Sequence, residues 1–236
     1  SSQAGCRMGC VFCASTIGGL NRNLTASEML RQIYQIQKIT GERVSNVVVM
    51  GTGEPLDNYD NLLKFIYILT GEHGLHISQR NVTVSTCGIV PKILELAEEK
   101  LQITLALSLH GATQEKRRKL MPIANKYELS QVLAACDAYF EKTGRRISYE
   151  YAMIDGVNDS AQQADLLAGL LKGQAAHVNL IPLNHVKESP LRPSRRTAEF
   201  QKRLEGHGIT ATVRRRLGSD IDAACGQLRR KAMGKQ

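Results

Sequence analysis

Residues 81–110 read NVTVSTCGIVPKILELAEEKLQITLALSLH. Residues 81–85 and 102–107 are short β-branched and aliphatic runs, which are typical of buried strands. Between them, a leucine-containing segment that opens at Pro91 has the pattern of a helix. A strand, a helix and a second strand in this order predict a parallel βαβ unit, in which polar residues follow each strand.

The same alternation runs along the whole chain. Further strands are expected over residues 47–50, 147–153, 178–181 and 209–213. Helices are expected over residues 25–39, 61–69, 129–141, 161–172 and 198–204, with a basic loop between His110 and the third of them. This order predicts an α/β protein with parallel strands, either a partial (β/α)6 barrel whose first strand lies near or before Ser1 or an open doubly wound sheet.

The start of the first helix carries a capping signal. Thr25 and Glu28 have the spacing of a capping box, and Ser27 is a second candidate for the cap. Gly41 is expected to end this helix.

Composition limits the classes of protein that fit. The 236 residues are 42% hydrophobic, contain no Trp and are only 5% aromatic, so we expect a large and mostly aliphatic core. No long apolar run and no signal-peptide pattern is present, which predicts a cytoplasmic protein without a membrane anchor. The net charge of +9 favours a polyanionic partner such as nucleic acid, or else reflects only a basic, solvated surface.

Three of the six cysteines, Cys6, Cys10 and Cys13, form a CxxxCxxC loop. Thiolates are the usual ligands of iron–sulfur clusters, which commonly take four. Only three are close together here, so one iron could stay open to a small molecule. The alternative is a zinc site, but structural zinc usually has four protein ligands and the loop contains no His. Cys87 and Cys136 are interpreted as structural cysteines.

Polar motifs follow several strands, at the edge where parallel α/β folds bind ligands. Gly51-Thr-Gly-Glu-Pro55 could let a ligand approach its glycines, and Glu54 could accept hydrogen bonds from a ligand ammonium. The other candidates are Ser85, Ser108, Leu109, His110 and Asn184. Each one alone could equally be an ordinary loop residue whose hydrogen bonds are satisfied.

Near the end of the chain, residues 218–228 read GSDIDAACGQL, in which Cys225 has small neighbours and is either an approachable sulfur or a buried one. Together with the three-cysteine loop and the runs 1–6, 21–24, 53–56 and 179–184, this run resembles a family of radical S-adenosylmethionine (SAM) enzymes. These are the RNA methyltransferases that modify carbon 2 of adenine in 23S rRNA and some tRNAs. The resemblance covers essentially the whole chain.

The resemblance implies roles for individual residues. Cys6, Cys10 and Cys13 would bind a 4Fe–4S cluster, and Cys225 would carry a methyl group before its transfer to RNA. The positions that would contact SAM are Gly53, Glu54, Ser85, Ser108, Leu109, His110 and Asn184. The implied fold is a partial (β/α)6 radical-SAM barrel with parallel strands, spanning residues 1–236 as one core domain with a C-terminal methyl-carrier loop.

The resemblance also implies parts and partners. A cysteine that resolves the RNA adduct, an acidic proton acceptor and an N-terminal RNA-binding domain would precede residue 1, so we expect cofactor binding without turnover. The expected partners are 23S rRNA, tRNA and an external flavodoxin-like electron donor, and the expected state is a monomer. Candidate phosphate contacts are the basic residues Lys116–Lys119, Arg192, Arg195, Arg196 and Arg214–Arg216.

Two other functions stay open. The first is methylation of carbon 8 of the same adenine by a sister group that confers antibiotic resistance. Pro55 favours the carbon-2 group, because the sister group often has Ala at this position. The second is a non-catalytic iron–sulfur or zinc module that only binds RNA, which anaerobic reconstitution with iron and sulfide would distinguish from an enzyme.

Overall fold

The computed structural model describes residues 1–183 and 190–215. Its strands are β1 Gln3–Gly5, β2 Leu20–Asn23, β3 Val47–Val49, β4 Val82–Thr86, β5 Thr104–Ser108, β6 Ile147–Met153, β7 Ala176–Pro182 and β8 Ala211–Val213. Its α-helices are α1 Ala26–Thr40, α2 Tyr59–Thr70, α3 Val90–Glu98, α4 Gln114–Leu120, α5 Leu129–Thr143, α6 Ala161–Leu171 and α7 Thr197–Gly206. The predicted alternation of strands and helices is confirmed, with element bounds that differ by one or two residues at most ends.

Six strands form one parallel sheet in the order β3-β4-β5-β6-β7-β8. In a flat sheet the two edge strands would lie about 24 Å apart, given a strand spacing of about 4.8 Å. Yet Arg214 at the end of β8 donates to the sulfur of Met50 at the end of β3, over 3.8 Å. The sheet is therefore curled, and within the described ranges no strand pairing joins β8 to β3. This confirms a partial barrel of parallel strands.

The two faces of the sheet differ in chemistry. On β4, Val82 and Val84 are fully buried against the helices, whereas Thr83 and Ser85 are only partly buried on the other face. The helix-covered face belongs to one large hydrophobic cluster that is mostly aliphatic, as the composition predicts. None of the helices in the described part of the chain is long and apolar enough to cross a bilayer.

The sequence reading is wrong about two elements. The strand expected near Ser1 is present as β1, but it pairs antiparallel with β2 instead of joining the parallel sheet. The connection between them, residues 6–19, contains the cysteine loop and one short 3-10 turn and no α-helix that could cover a parallel crossover. The segment interpreted as a basic loop contains α4, whose cap is Thr113: its Oγ1 accepts from the Lys116 N–H.

Helix α1 begins with the predicted capping box. The Thr25 hydroxyl accepts from the Glu28 N–H at 3.3 Å, and the Glu28 carboxylate accepts from the Thr25 N–H at 2.9 Å. Ser27 is the second helical residue, and its hydroxyl is 3.0 Å from the Thr25 hydroxyl, within hydrogen-bond distance. Gly41, with φ of 72°, ends the helix as expected.

We expect Thr25→Ala to lower the free energy of unfolding by about 1 kcal/mol, because the first turn of α1 loses its side-chain acceptor. The matched control is Ser27→Ala, which should change it by less than about 0.5 kcal/mol. Urea denaturation followed by far-ultraviolet circular dichroism measures both. A larger loss for Ser27→Ala than for Thr25→Ala would mean that the cap is assigned to the wrong residue.

Candidate active site

The three-cysteine loop connects β1 to β2 at one end of the parallel sheet. Cys6 directly follows β1, and its N–H donates to the Gly19 carbonyl at 3.1 Å. The Cys13 carbonyl accepts from the Thr16 hydroxyl at 2.9 Å. Gly9 has φ of +73° and lies against Pro122, so this turn of the loop favours glycine. The loop is thus held at both ends and along its middle.

The three thiols of the loop lie close enough together to affect one another's pKa. Cys6 and Cys10 are buried and Cys13 is partly buried. The pKa of Cys6 is raised to about 11, chiefly by burial; a backbone hydrogen bond at Met8 opposes the rise, and the negative charges of Cys13, Glu54 and Asp57 contribute to it. Burial also raises the pKa of Cys10, with additional contributions from Cys13 and Cys6. The thiols of Cys6 and Cys10 are therefore protonated at neutral pH until a metal replaces the protons.

The chemistry of this donor set fits an iron–sulfur cluster. Three cysteine thiols in one loop, two of them buried, match the thiolate ligands that such clusters require. Within the described ranges, no three His, Cys, Asp or Glu side chains are grouped as ligands of a single metal ion are. A cluster has a different requirement, because each thiolate binds its own iron atom.

Glu54 connects the loop to the strand ends. Its carboxylate is buried and accepts from the Cys87 N–H at 2.8 Å and from the Leu56 N–H at 3.1 Å. Burial raises its pKa, an effect that these N–H groups oppose. Its negative charge also contributes to the raised pKa of Cys6 and of Cys10. Because each carboxylate oxygen can accept more than one hydrogen bond, the group can still receive a ligand ammonium.

Gly53 serves a purpose that the sequence did not indicate. A Cβ built on this residue would lie 2.6 Å from the Cβ of Gln3, and φ is +108°. The amide oxygen of Gln3 also accepts from the Glu54 N–H at 2.8 Å. The glycine therefore makes room for a side chain of the protein itself, which brings β1 and the cysteine loop against Glu54.

Ser85 and Ser108 come together on the inner face of the sheet. Their hydroxyl oxygens are 3.5 Å apart and both residues are partly buried. The Leu109 side chain is fully buried and its N–H donates to the Glu150 carbonyl at 3.0 Å. A contact of Leu109 with a cofactor would therefore involve the remaining backbone atoms, whereas the two serines can offer hydroxyl groups.

His110 lies under the cysteine loop in a fixed neutral form. Its Nδ1 accepts from the Ala152 N–H at 2.9 Å, so the ring proton is on Nε2. Burial lowers its pKa to about 3, and the nearby charge of Arg117 adds to this effect. The ring packs edge-on against Phe12, with the ring centres 4.6 Å apart. His110 thus supports the loop from below through Phe12, between Cys10 and Cys13.

Four candidates differ from the sequence-based prediction or cannot be placed. Asn184, Arg216 and Cys225 lie outside the described residues. In the basic segment, Arg117 is fully buried and thus is not a surface contact for phosphate, because its position on α4 faces the core together with Leu120. Arg118 and Lys119 are exposed and form ion pairs with acidic side chains.

The sequence reading missed a polar group on the inner face of the sheet. Glu150 on β6 is buried, and its carboxylate accepts from the Ser148 hydroxyl at 3.0 Å and from the Asn179 amide at 2.8 Å. Burial raises its pKa. A charged residue inside the otherwise apolar run of β6 was the signal that could have revealed it.

A curled parallel sheet that carries a three-cysteine loop beside a buried strand-end glutamate defines the radical SAM class of protein. The model of the radical SAM superfamily matches residues 1–167. Two proteins named "Probable dual-specificity RNA methyltransferase RlmN" are close relatives. The one from Lachnoclostridium phytofermentans is 61% identical over 237 residues, and the alignment covers 100% of this chain and 67% of that one. The one from Clostridium perfringens is 56% identical over 232 residues, with coverage of 98% and 67%.

Solved structures agree. A radical SAM methyltransferase from Sphaerobacter thermophilus superposes with a TM-score of 0.92 and 46% identity, covering 96% of this chain and 68% of that one. Streptococcus suis SuiB bound to S-adenosylmethionine shares the fold, with a TM-score of 0.68 and 17% identity, over 91% of this chain and 49% of that one. The chain belongs to the RlmN family of dual-specificity RNA methyltransferases within the radical SAM superfamily, whose cofactors are a 4Fe–4S cluster and SAM.

The loop that contains His110 depends on Asn158. The Asn158 amide donates to the carbonyls of His110 (2.8 Å) and Ala152 (2.7 Å), and its oxygen accepts from the Ile154 N–H at 2.9 Å. The side chain is fully buried. These three bonds attach the segment after β5 to the end of β6.

We expect Asn158→Ala to lower the free energy of unfolding by about 3 kcal/mol, because it leaves three buried backbone groups without partners. The matched control is Asn46→Ala at an exposed position, where the side chain bonds only Ser45, with an expected change below about 0.5 kcal/mol. Urea unfolding of both variants tests this. Equal effects would rule out a special role for the three bonds.

Proposed function

We propose that this protein methylates carbon 2 of an adenine in RNA, by way of a methyl group first carried on Cys225. One observation carries the proposal: the buried Glu54 carboxylate lies within electrostatic reach of Cys6 and Cys10, at the end of the parallel sheet. This arrangement can hold an iron–sulfur cluster and a small cationic ligand side by side. The close relatives, which are named as RNA methyltransferases, support RNA as the acceptor.

We assign the cluster to Cys6, Cys10 and Cys13, which leaves one iron free for SAM. When bound, the reduced cluster supplies the electron that cleaves SAM to a 5′-deoxyadenosyl radical. The chain contributes placement and exclusion of water. His110 packs below the loop against Phe12, and buried side chains surround Cys10, so the thiolates bind in an apolar setting.

The strand ends hold SAM in this proposal. Glu54 accepts hydrogen bonds from the amino group of its methionine part, because a buried carboxylate with free lone pairs attracts an ammonium. Ser85 and Ser108 offer hydroxyl groups from adjacent strands. Gly53 and backbone atoms of Leu109 and His110 complete the contacts. Asn184 lies outside the described residues; in the sequence it comes two residues after the last residue of β7, and it is a further proposed contact.

In the proposed reaction, Cys225 carries the methyl group between SAM and the adenine. Its thiolate accepts a methyl group from one SAM by displacement at the sulfonium. It would then lose a hydrogen atom from that methyl group to a radical derived from a second SAM, and the resulting carbon-centred radical would add to the adenine ring. The adduct would lose one electron and the carbon-2 proton. A second cysteine thiolate would then form a disulfide with the Cys225 sulfur, which breaks the bond between this sulfur and the transferred carbon and leaves a methyl group on the ring. Carbon 2 of adenine is not nucleophilic, so a direct polar transfer to it would be slow. A radical route removes this obstacle.

We propose 23S rRNA and tRNA as the two substrates, in keeping with the dual specificity in the relatives' names. The exposed side chains of Arg192, Arg195 and Arg196 are available for phosphate contacts. Arg214 instead reaches Met50 across the open side of the sheet. An external flavodoxin-like donor would supply single electrons, and the protein would work as a cytoplasmic monomer.

We expect Cys10→Ala to abolish cluster assembly, because one of three thiolate ligands is lost. Anaerobic reconstitution with iron and sulfide, followed by iron analysis and the thiolate-to-iron absorbance, measures this. Cys136→Ala is the matched control, since Cys136 is equally buried but lies in α5, and it should load as the unaltered protein does. Full loading of Cys10→Ala would refute the assignment of the ligands.

We further expect Cys225 to carry a methyl group in protein purified from cells that supply iron, sulfide and SAM. Peptide mass spectrometry should find the mass of one added methylene group on the Cys225 peptide and none on the Cys136 peptide. The same peptide from Cys10→Ala protein distinguishes whether the mark needs the cluster. An unmodified Cys225 in protein with a full cluster would argue against the methyl-carrier route.

A further inference from the structure

Arg117 is a fully buried residue whose guanidinium makes one hydrogen bond to the described residues. Its Nη2 donates to the Cys87 carbonyl at 2.5 Å. Its Nε and Nη1 are buried without a hydrogen-bond partner in the part of the chain that the structure describes. Buried N–H groups of a charged side chain that lack acceptors are destabilising, so this arrangement calls for a compensating interaction.

The side chain lies directly behind the cysteine loop. One helical turn after Arg117, the Leu120 carbonyl accepts from the Val11 N–H of the loop at 3.0 Å. Cys10, Cys87 and Leu120 belong to one buried hydrophobic cluster. The Arg117 charge reaches Cys10, since it opposes the burial that raises the pKa of that thiol.

Among the described residues, no Asp or Glu forms an ion pair with Arg117, whereas the exposed Arg118 beside it pairs with Glu128. The groups whose charged forms would interact with it are the thiols of Cys10, Cys87 and Cys136. Burial raises the pKa of all three, so each is an uncharged thiol at neutral pH, and a thiol that binds iron does so as a thiolate. Of these, only Cys10 is assigned to the cluster. A guanidinium stays charged even when buried, so its field acts on whatever that thiolate holds.

We propose that Arg117 is the counter-charge of the iron–sulfur cluster and makes its one-electron reduction easier. An external donor provides the electron, the cluster gains one unit of negative charge, and Arg117 keeps its proton throughout. A nearby positive charge stabilises the more negative, reduced cluster more than the oxidised one, and a buried setting screens this interaction little. Arg117 acts here as a positioning residue through Cys10, and the inference rests on the cluster assigned above.

The test is the reduction midpoint potential of the reconstituted cluster, titrated with dithionite and mediators and followed by the electron paramagnetic resonance signal of the reduced form. Arg117→Met removes the charge and keeps a similar length, Arg117→Lys keeps the charge, and Arg118→Met removes a charge from the surface next to it. We expect Arg117→Met to lower the ratio of reduced to oxidised cluster at least tenfold at a fixed potential, which is 59 mV for a one-electron couple. Arg117→Lys and Arg118→Met should titrate close to the unaltered protein.

An unchanged potential in Arg117→Met with a full iron content overturns the inference. If Arg117→Met folds but does not assemble a cluster, the Arg117→Lys variant distinguishes the two explanations. Cluster assembly with an unchanged midpoint potential in Arg117→Lys supports a role of the positive charge. Failure of Arg117→Lys to assemble a cluster overturns the inference, because the role of Arg117 is then purely structural. Circular dichroism monitors folding of each variant. An unaltered protein that never assembles a cluster would overturn the proposed function itself, and this result is recognised by its iron content alone.

Discussion

The buried carboxylate of Glu54 is the interaction on which the site depends. It lies at the end of β3 and binds the backbone N–H of Cys87, which follows β4. Gln3 of β1 binds the backbone of Glu54 in turn, and β1 leads directly into Cys6. One charged group and its neighbours thereby link two strands of the parallel sheet to the three-cysteine loop. This link positions β1, and with it the start of the cysteine loop, relative to the strand ends.

The curl of the sheet gives these strand ends a common interior. Its outer face is covered by helices and is aliphatic, while the inner face carries polar groups such as Ser85, Ser108 and Glu150. Arg214 reaches Met50 across the open side. A flat sheet would spread the same residues along an edge, whereas the curl makes them face a common interior.

Below the cysteine loop, a second layer fixes its position. His110 contacts Phe12 of the loop, and Asn158 holds the His110 carbonyl. Arg117 places a positive charge behind the loop, where His110 is kept neutral by burial. The same layer therefore determines both the placement of the thiols and the electrostatic field around them. The same few side chains therefore contribute both to the stability of the loop and to the proposed reduction of the cluster.

The sequence alone determined the order of strands and helices, because their hydrophobic periods are local properties. It also determined the three-cysteine loop and the strand-end motif around Glu54, because their chemistry depends on spacing along the chain. It did not reveal α4, since a short and highly charged helix has little apolar pattern, and it treated Arg117 as an exposed residue.

Only the tertiary structure decided which side of α4 faces the core. It also decided that Gly53 makes room for Gln3, that β1 pairs with β2 and that Glu150 points inward. Each of these depends on contacts between residues far apart in the chain, and such contacts leave no periodic signal in the sequence.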